Sequence, residues 1–249
     1  MGDLFETLHE DEDLLVINKP AGLVCHPTKN DERSSLVGRV RLHLGADHPV
    51  HFVNRLDRET SGVVIVAKTN DAARELRRLW ENREVTKIYW AIVHGHVCDE
   101  EGTIDDSLGP DESSEVVVKD CVRQDGATAR TCYRTHWRFT RAEGDFTWLR
   151  IEPVTGRKHQ IRIHLQHLGH PIVGDKLYGL NENWYLKFAK EELTKAEWQK
   201  LILKNQGLHA RTVVFTWRGH EWQFEAEPED EFVDFIESIE SAEEDIGSI

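Results

Sequence analysis

Five consecutive apolar residues, Val63-Val64-Ile65-Val66-Ala67, constrain the fold more than any other stretch of this sequence. The run is rich in β-branched residues and too short for a typical helix. It begins straight after a glycine, so it reads as a buried strand. Gly62 permits a sharp turn or a close backbone approach, and Thr60 and Ser61 carry hydroxyls that fix a loop by local hydrogen bonds. The preceding residues, Asn54-Arg55-Leu56-Asp57-Arg58-Glu59, therefore form a short braced loop at a strand edge, with Asp57 set between Arg55 and Arg58. Neighbouring cations keep a carboxylate ionised and available as a nucleophile or base. The plainer alternative is a structural Asp in a surface network of arginines.

Composition narrows the class. A chain of 249 residues, 39% hydrophobic and 31% charged, fits one large or two small globular domains. No stretch reaches the length of a membrane span, and the N-terminus lacks the basic start and apolar run of a signal peptide. Cys25, Cys98, Cys121 and Cys132 form no C-x-x-C pair, so free thiols in a reducing cytoplasm are expected. The formal charge of −14 is unevenly spread: 12 acidic residues and no Lys or Arg follow Arg218. The remainder is close to neutral, which is compatible with a local basic groove for phosphates.

Periodicity supplies the other elements. Leu14 to Pro20 reads as the first strand, and Ser34 or Ser35 as the cap of a helix through Leu44 with Leu36, Val37, Val40 and Leu44 on one face. Asn70 is expected to cap a helix over residues 71–81, with Leu76, Leu79 and Trp80 inward and Arg74, Arg77 and Arg78 outward. Residues 87–93 read as a strand carrying Lys87, Tyr89 and Ala91 on one face. Residues 127–139 and 146–151 read as an antiparallel pair around a turn. Thr155 is expected to cap a helix ending at Gly169, which sets Arg157 and Lys158 in its first turn. Cations there are disfavoured by the helix dipole unless an anion compensates them. Residues 183–205 read as one or two helices whose lysines form a solvated face or help hold phosphates. Phe232, Val233, Ile236 and Ile239 suit one amphipathic tail helix.

His159, His164, His167 and His170 lie close in sequence but miss metal-ligand spacing. His159 and His164 are five apart rather than four, and no acidic residue accompanies His164 and His167 in the helix, so no metal is expected.

Four segments carry a resemblance. Asn18-Lys19-Pro20 with Gly22 and His26-Pro27, Arg55-Leu56-Asp57-x-x-Thr60-Ser61-Gly62, Lys87-x-Tyr89, and Thr155-Gly156-Arg157-x-His159-Gln160-Ile161-Arg162-x-His164 resemble, in order, the RluA-type pseudouridine synthases. Gly169-His170-Pro171-Ile172-Val173-Gly174-Asp175 and Leu208-His209-Ala210 continue the match, which spans roughly residues 14–224. The family usually has His where this chain has Asn54.

The resemblance implies an α+β fold, a mixed and largely antiparallel sheet with flanking helices and loops around a central catalytic cleft. It implies the isomerisation of uridine to pseudouridine in structured RNA, ribosomal or transfer, with no cofactor and no metal. Asp57 is the implied nucleophile, attacking either the sugar or the base; Arg162 pairs with it, and Tyr89 stacks on the uracil. Asn54, Arg55, Leu208, Arg157 and Lys158 are the implied RNA and base contacts. A monomeric, cytoplasmic catalytic domain over residues 1–228 is expected, with an acidic tail over 229–249 and no separate N-terminal RNA-binding domain. The rival readings are a non-catalytic RNA-binding or chaperone module on this fold and an RsuA-type synthase. A metal-dependent hydrolase is more distant.

Overall fold

The apolar run is a strand, and it is buried at every position from Ser61 to Ala67. The computed structural model describes residues 4–26, 32–45 and 48–237. Pro27 of the first family segment and Ile239 of the tail lie outside the described residues. In chain order the elements begin with β1 (Glu6–Glu10), β2 (Leu14–Lys19), α1 (Leu36–Leu44), β3 (His51–Phe52), β4 (Ser61–Ala67) and α2 (Asn70–Glu81). Next come β5 (Val85–His94), β6 (Glu101–Ile104), β7 (Leu108–Pro110), β8 (Asp120–Val122), β9 (Thr131–Arg141) and β10 (Gly144–Pro153). The remainder are α3 (Gln160–His167), α4 (Asn183–Ala189), α5 (Lys195–Leu201), β11 (Leu208–Trp217), β12 (His220–Glu225) and α6 (Asp230–Glu237). The fold is α+β. Every strand register described is antiparallel except the parallel pairing of β11 with β4.

The chain forms two compact units, residues 1–89 with 209–229 and residues 90–208 with 230–249. In the first, the strand order is β1-β2-β4-β11, with β3 on β4 and β12 on β11. Alternation along β2 and β4 fills two layers. Leu14, Val16, Val63, Ile65 and Ala67 pack with Ala72, Ala73 and Leu76 of α2. Leu15, Ile17, Val64 and Val66 pack on the opposite face with Leu36 and Val40 of α1, together with Leu56 and Ala210. Gly62 is required where β4 meets β11. Its φ is +113°, and a Cβ there would lie 2.2 Å from the Ala210 carbonyl oxygen.

In the second unit the order is β5-β10-β9-β6, and β7 pairs with β8. The β9–β10 hairpin runs from Arg141↔Gly144 to Thr131↔Pro153, with a bulge between Trp148 and Leu149. On one side lies a cluster of Ile92, Phe139, Phe146, Val173 and Leu203, and α6 adds Phe232, Phe235 and Ile236 to it.

Several elements differ from the sequence reading. A strand, β1, precedes Leu14 and pairs antiparallel with β2. Helix α2 is capped by the Thr69 side chain, one residue earlier than expected, and α1 by Ser35. The tail helix buries Phe232, Phe235 and Ile236, while Val233 is only half-buried, so the segment is core rather than periphery. The largest correction is at α3. It begins at Gln160 after His159, which adopts a left-handed φ of 55°. Thr155 does not cap it: its hydroxyl accepts from the Arg130 N–H at 2.9 Å and donates to Gln160 Oε1 at 2.6 Å. Arg157 and Lys158 therefore lie ahead of the helix, and the first-turn argument for an anion beside them lapses.

Candidate active site

Asp57 sits half-buried on a loop anchored on both sides of it. On one side Leu56 is buried in the first unit's core, and its carbonyl accepts the Cys25 thiol at 3.4 Å. On the other, the Arg58 carbonyl accepts from Lys19 Nζ at 3.1 Å, and Arg58 Nε donates to the Gly22 carbonyl at 3.2 Å. Thr60 N–H closes the turn on the Asp57 carbonyl at 3.2 Å. The loop thus has little freedom where the carboxylate is mounted.

Asn54 explains how the loop leaves the sheet. Val53 N–H donates to the Ile65 carbonyl at 2.9 Å, a backbone bond to β4 just beyond β3. One residue on, the Asn54 side chain takes over. Its Nδ2 donates to the Val63 carbonyl at 3.0 Å, and its Oδ1 accepts the Ile65 N–H at 2.8 Å. An amide side chain can make both bonds because it carries a donor and an acceptor on one carbon. The structure thus gives Asn54 an internal, loop-holding role. Asn54→Ala is expected to lower stability by about 1–3 kcal/mol, because it strips both bonds from a half-buried site. Asn54→Asp should be at least as damaging, since it sets an anion against the Val63 carbonyl. Urea midpoints of the two variants check both expectations, and an Asp variant as stable as the parent would refute this role.

Tyr89 packs against the cluster that contains Leu56 and Ala210, on the layer that also receives the loop. Burial pushes its phenol well above the usual range, and the negative charge of Asp57 pushes it further. The ring is therefore a neutral aromatic surface near the carboxylate. Arg55 is exposed.

The sequence reading gave Lys19 no role of its own, and the structure makes it a buried support of the loop. Its side chain is 0% exposed, and Nζ donates to the carbonyls of Pro20, Leu23 and Arg58 at 2.9, 2.9 and 3.1 Å. Burial lowers its pKa to about 8 despite the opposing charges around it. The available signals were its place in the Asn18-Lys19-Pro20 segment and its position at the end of an otherwise apolar strand. Ser61 and His209 add a second buried link. The imidazole bonds the Ala226 carbonyl through Nε2 at 2.8 Å and the Ser61 hydroxyl through Nδ1 at 2.9 Å. Burial pulls His209 down to about 4, so it is neutral, with Nε2–H donating to Ala226 and Ser61 donating to Nδ1.

The remaining candidates belong to the second unit. Arg162 makes a two-pronged contact with Asp175, Nε to Oδ2 at 2.7 Å and Nη2 to Oδ1 at 2.9 Å. Asp175 also accepts the Leu177 and Tyr178 N–H groups at 2.9 Å each, and the Arg162 guanidinium lies 4.9 Å from the Tyr178 ring centroid. The Arg162 partner and these bonds hold the Asp175 carboxyl below the usual range despite complete burial. Arg162 is thus fixed in orientation by its own unit. Lys158 pairs with Asp120 at 2.9 Å, Arg157 Nε donates to the Thr128 carbonyl at 3.1 Å, and Leu208 is buried at the start of β11.

The histidines are dispersed among different partners. His159 bonds the Tyr178 hydroxyl at 3.0 Å, His164 the Thr131 hydroxyl and the Asp106 carbonyl, and His170 the His94 carbonyl. Among the described residues no group of three or more His, Cys, Asp or Glu is arranged to hold a metal. No helix among them is long and apolar enough to cross a membrane.

The pattern for RNA pseudouridylate synthases matches residues 13–167, more than half of the chain. The chain belongs to the RNA pseudouridylate synthase family. It is similar to the dual-specificity RNA pseudouridine synthase RluA of Yersinia pestis, 39% identical over 172 residues, which cover 69% of this chain and 80% of that protein. That likeness and the motifs set it in the RluA-type branch. An uncharacterized RNA pseudouridine synthase of Chlorobaculum parvum is 37% identical over 84% of this chain and 65% of its own length. One from Synechocystis is 36% identical over 70% of this chain and 54% of its own length. The chain therefore spans between about half and two thirds of these two curated relatives. Among solved structures, human RNA pseudouridylate synthase domain containing 1 superposes with a TM-score of 0.73 at 23% identity, covering 96% of this chain and 88% of that one. The domain containing 4 protein gives 0.68 at 27%, covering 92% and 90%. The synthase fold is common to all three.

Proposed function

We propose that this chain isomerises uridine to pseudouridine within RNA, with Asp57 as the carboxylate that acts on the substrate. The observation that carries the reading is the mounting of Asp57: a family-motif carboxylate anchored by Leu56 and Arg58, with the neutral Tyr89 ring close enough to feel its charge. The reaction breaks the N1–C1′ bond, rotates the uracil, and joins C5 to C1′. The C5 proton leaves and N1 gains one, so atoms balance without an external reagent and no cofactor is needed. Asp57 attacks either the ribose or the base. Tyr89 stacks on the uracil, Leu208 supports it, and Arg55, Arg157 and Lys158 contact RNA phosphates. The substrate is a cytoplasmic ribosomal or transfer RNA whose target uridine leaves its stack, at a cost of a few kcal/mol.

The primary test is release of tritium from RNA labelled at uridine C5, together with mapping of pseudouridine in total RNA from cells with and without the chain. Absence of both signals with every RNA class would overturn the proposal.

Arg162 is, by the family resemblance, the proposed partner that keeps Asp57 charged and oriented. Arg162→Lys retains the charge but loses the planar fork. Arg162→Met leaves Asp175 buried without its cation, which is expected to lower stability by about 3–5 kcal/mol. Rates are therefore compared well below each melting temperature. The expected order is parent, Lys variant, Met variant, and a Lys variant with undiminished turnover would remove Arg162 from the mechanism.

A further inference from the structure

Glu229 lies beyond the residues that match the family pattern and beyond every motif read in the sequence, yet it reaches the support of the Asp57 loop. Its Oε1 accepts the Ala21 N–H at 2.8 Å. Asn18 Nδ2 donates to the Glu227 carbonyl at 3.0 Å, which keeps this segment on β2. Ala21 belongs to the turn whose carbonyls, Pro20 and Leu23, receive two of the Lys19 bonds, and the third goes to Arg58 beside Asp57. Three carbonyl oxygens use all three protons of an ammonium. A neutral amine has one fewer and would turn its lone pair toward an oxygen, so the cage needs Lys19 charged. Burial opposes that charge. The groups whose negative charge favours it are Cys25 as thiolate, Glu229 and Asp57. Burial raises the Cys25 pKa, so its thiol is neutral under ordinary conditions, and the two carboxylates remain.

We propose that Glu229 is a positioning residue for Asp57: it fixes the turn after β2 and keeps Lys19 an ammonium, so that Arg58 and the adjacent carboxylate stay in place. The inference rests on Asp57 being the catalytic carboxylate. The sign of its pH dependence follows from the cage. Removing the Glu229 charge lowers the Lys19 pKa, so the ammonium is lost at lower pH and the alkaline limb of the rate profile moves down.

Two variants separate the two actions of the side chain. Glu229→Gln keeps an acceptor for Ala21 and removes the charge; Glu229→Ala removes both. The Ala variant is expected to lose about ten- to a hundredfold in kcat with KM nearly unchanged, as displacement of a reacting group does. The Gln variant should recover most of the rate near neutral pH, with its alkaline limb shifted down by about one unit. The Lys19 titration is also followed without RNA by the ¹³Cε resonance, identified by its absence in Lys19→Arg. Its midpoint should fall in Glu229→Gln. Superimposable Lys19 titrations in parent and Gln variant, or a wild-type kcat in the Ala variant, would overturn the proposal. If the midpoint moves as expected but the parent turns over no RNA, the coupling stands and the assignment of Asp57 fails instead.

Discussion

Asp57→Ala is expected to abolish pseudouridine formation while RNA affinity falls by less than about tenfold, or roughly 1.4 kcal/mol. The two quantities separate because they come from different groups. Affinity for RNA is dominated by many phosphate contacts, each dispensable, whereas the bond exchange between N1 and C5 has one carboxylate. The loop should survive the substitution, since its anchors are the Leu56 side chain, the Arg58 carbonyl and the Asn54 amide rather than the Asp57 side chain. Asp57→Asn, nearly identical in shape, controls for packing and should be equally inactive. Measurable turnover by purified Asp57→Ala would falsify the assignment, and an affinity loss much above tenfold would make Asp57 a binding group as well. Tyr89 offers a third readout: without the Asp57 charge its phenol should ionise at lower pH, while burial still holds it above the usual value.

What the sequence revealed, and what it concealed, follows from the range of the interactions involved. β4 was legible because a short β-branched run needs no partner to be recognised, and its burial on both faces follows from having α1 on one side and α2 on the other. α2 and the β9–β10 hairpin were legible for the same local reason. β1 was not: Glu6-Thr7-Leu8-His9-Glu10 is mostly exposed, so it carries little apolar alternation, and only its pairing with β2 defines it. The start of α3 was misread because Thr155 is an acceptable cap in isolation. In the fold its hydroxyl is committed to Arg130 and Gln160, a contact that depends on β9 lying alongside.

The site divides in the same way. Asp57 and Tyr89, the proposed site residues, stand in motif segments that are legible without the fold. Asp175 was inside a recognised segment, but nothing in its neighbours announces a fully buried carboxylate holding Arg162. Lys19 and Glu229 are joined only through a turn that the sequence shows as Pro20-Ala21-Gly22-Leu23. Asn54 is the instructive case. It departs from the usual family residue and was implied as an RNA contact, and the two bonds to β4 give it a packing role.

Deletion of residues 229–249 is expected to destabilise the second unit severely, although those residues look like a charged tail. Two effects compete. The segment carries much of the chain's excess negative charge, so its removal should strengthen non-specific RNA binding at low salt and hardly at all at high salt. Against that, α6 buries Phe232, Phe235 and Ile236. Phe235 meets Phe146 edge-on at 5.1 Å, the Arg141 guanidinium lies 4.3 Å from its ring centroid, and Arg141 Nη1 donates to its carbonyl at 2.8 Å. Glu231 accepts the Lys204 N–H at 2.9 Å. Buried apolar side chains of this size contribute about 1.5–3 kcal/mol each, so the loss is roughly 5–9 kcal/mol as an upper figure. A domain of ordinary stability has about 5–15 kcal/mol in total. Packing therefore decides the outcome, and RNA affinity cannot be read from the long deletion. A cut after Glu237 resolves the two, because it leaves every contact above in place while removing Glu240, Glu243, Glu244 and Asp245. With α6 retained, the short deletion should bind RNA more tightly at low salt only. A long deletion that melts with the parent would show that α6 is dispensable to the core, and a short deletion with unchanged low-salt affinity would show that the terminal charge does not reach the RNA.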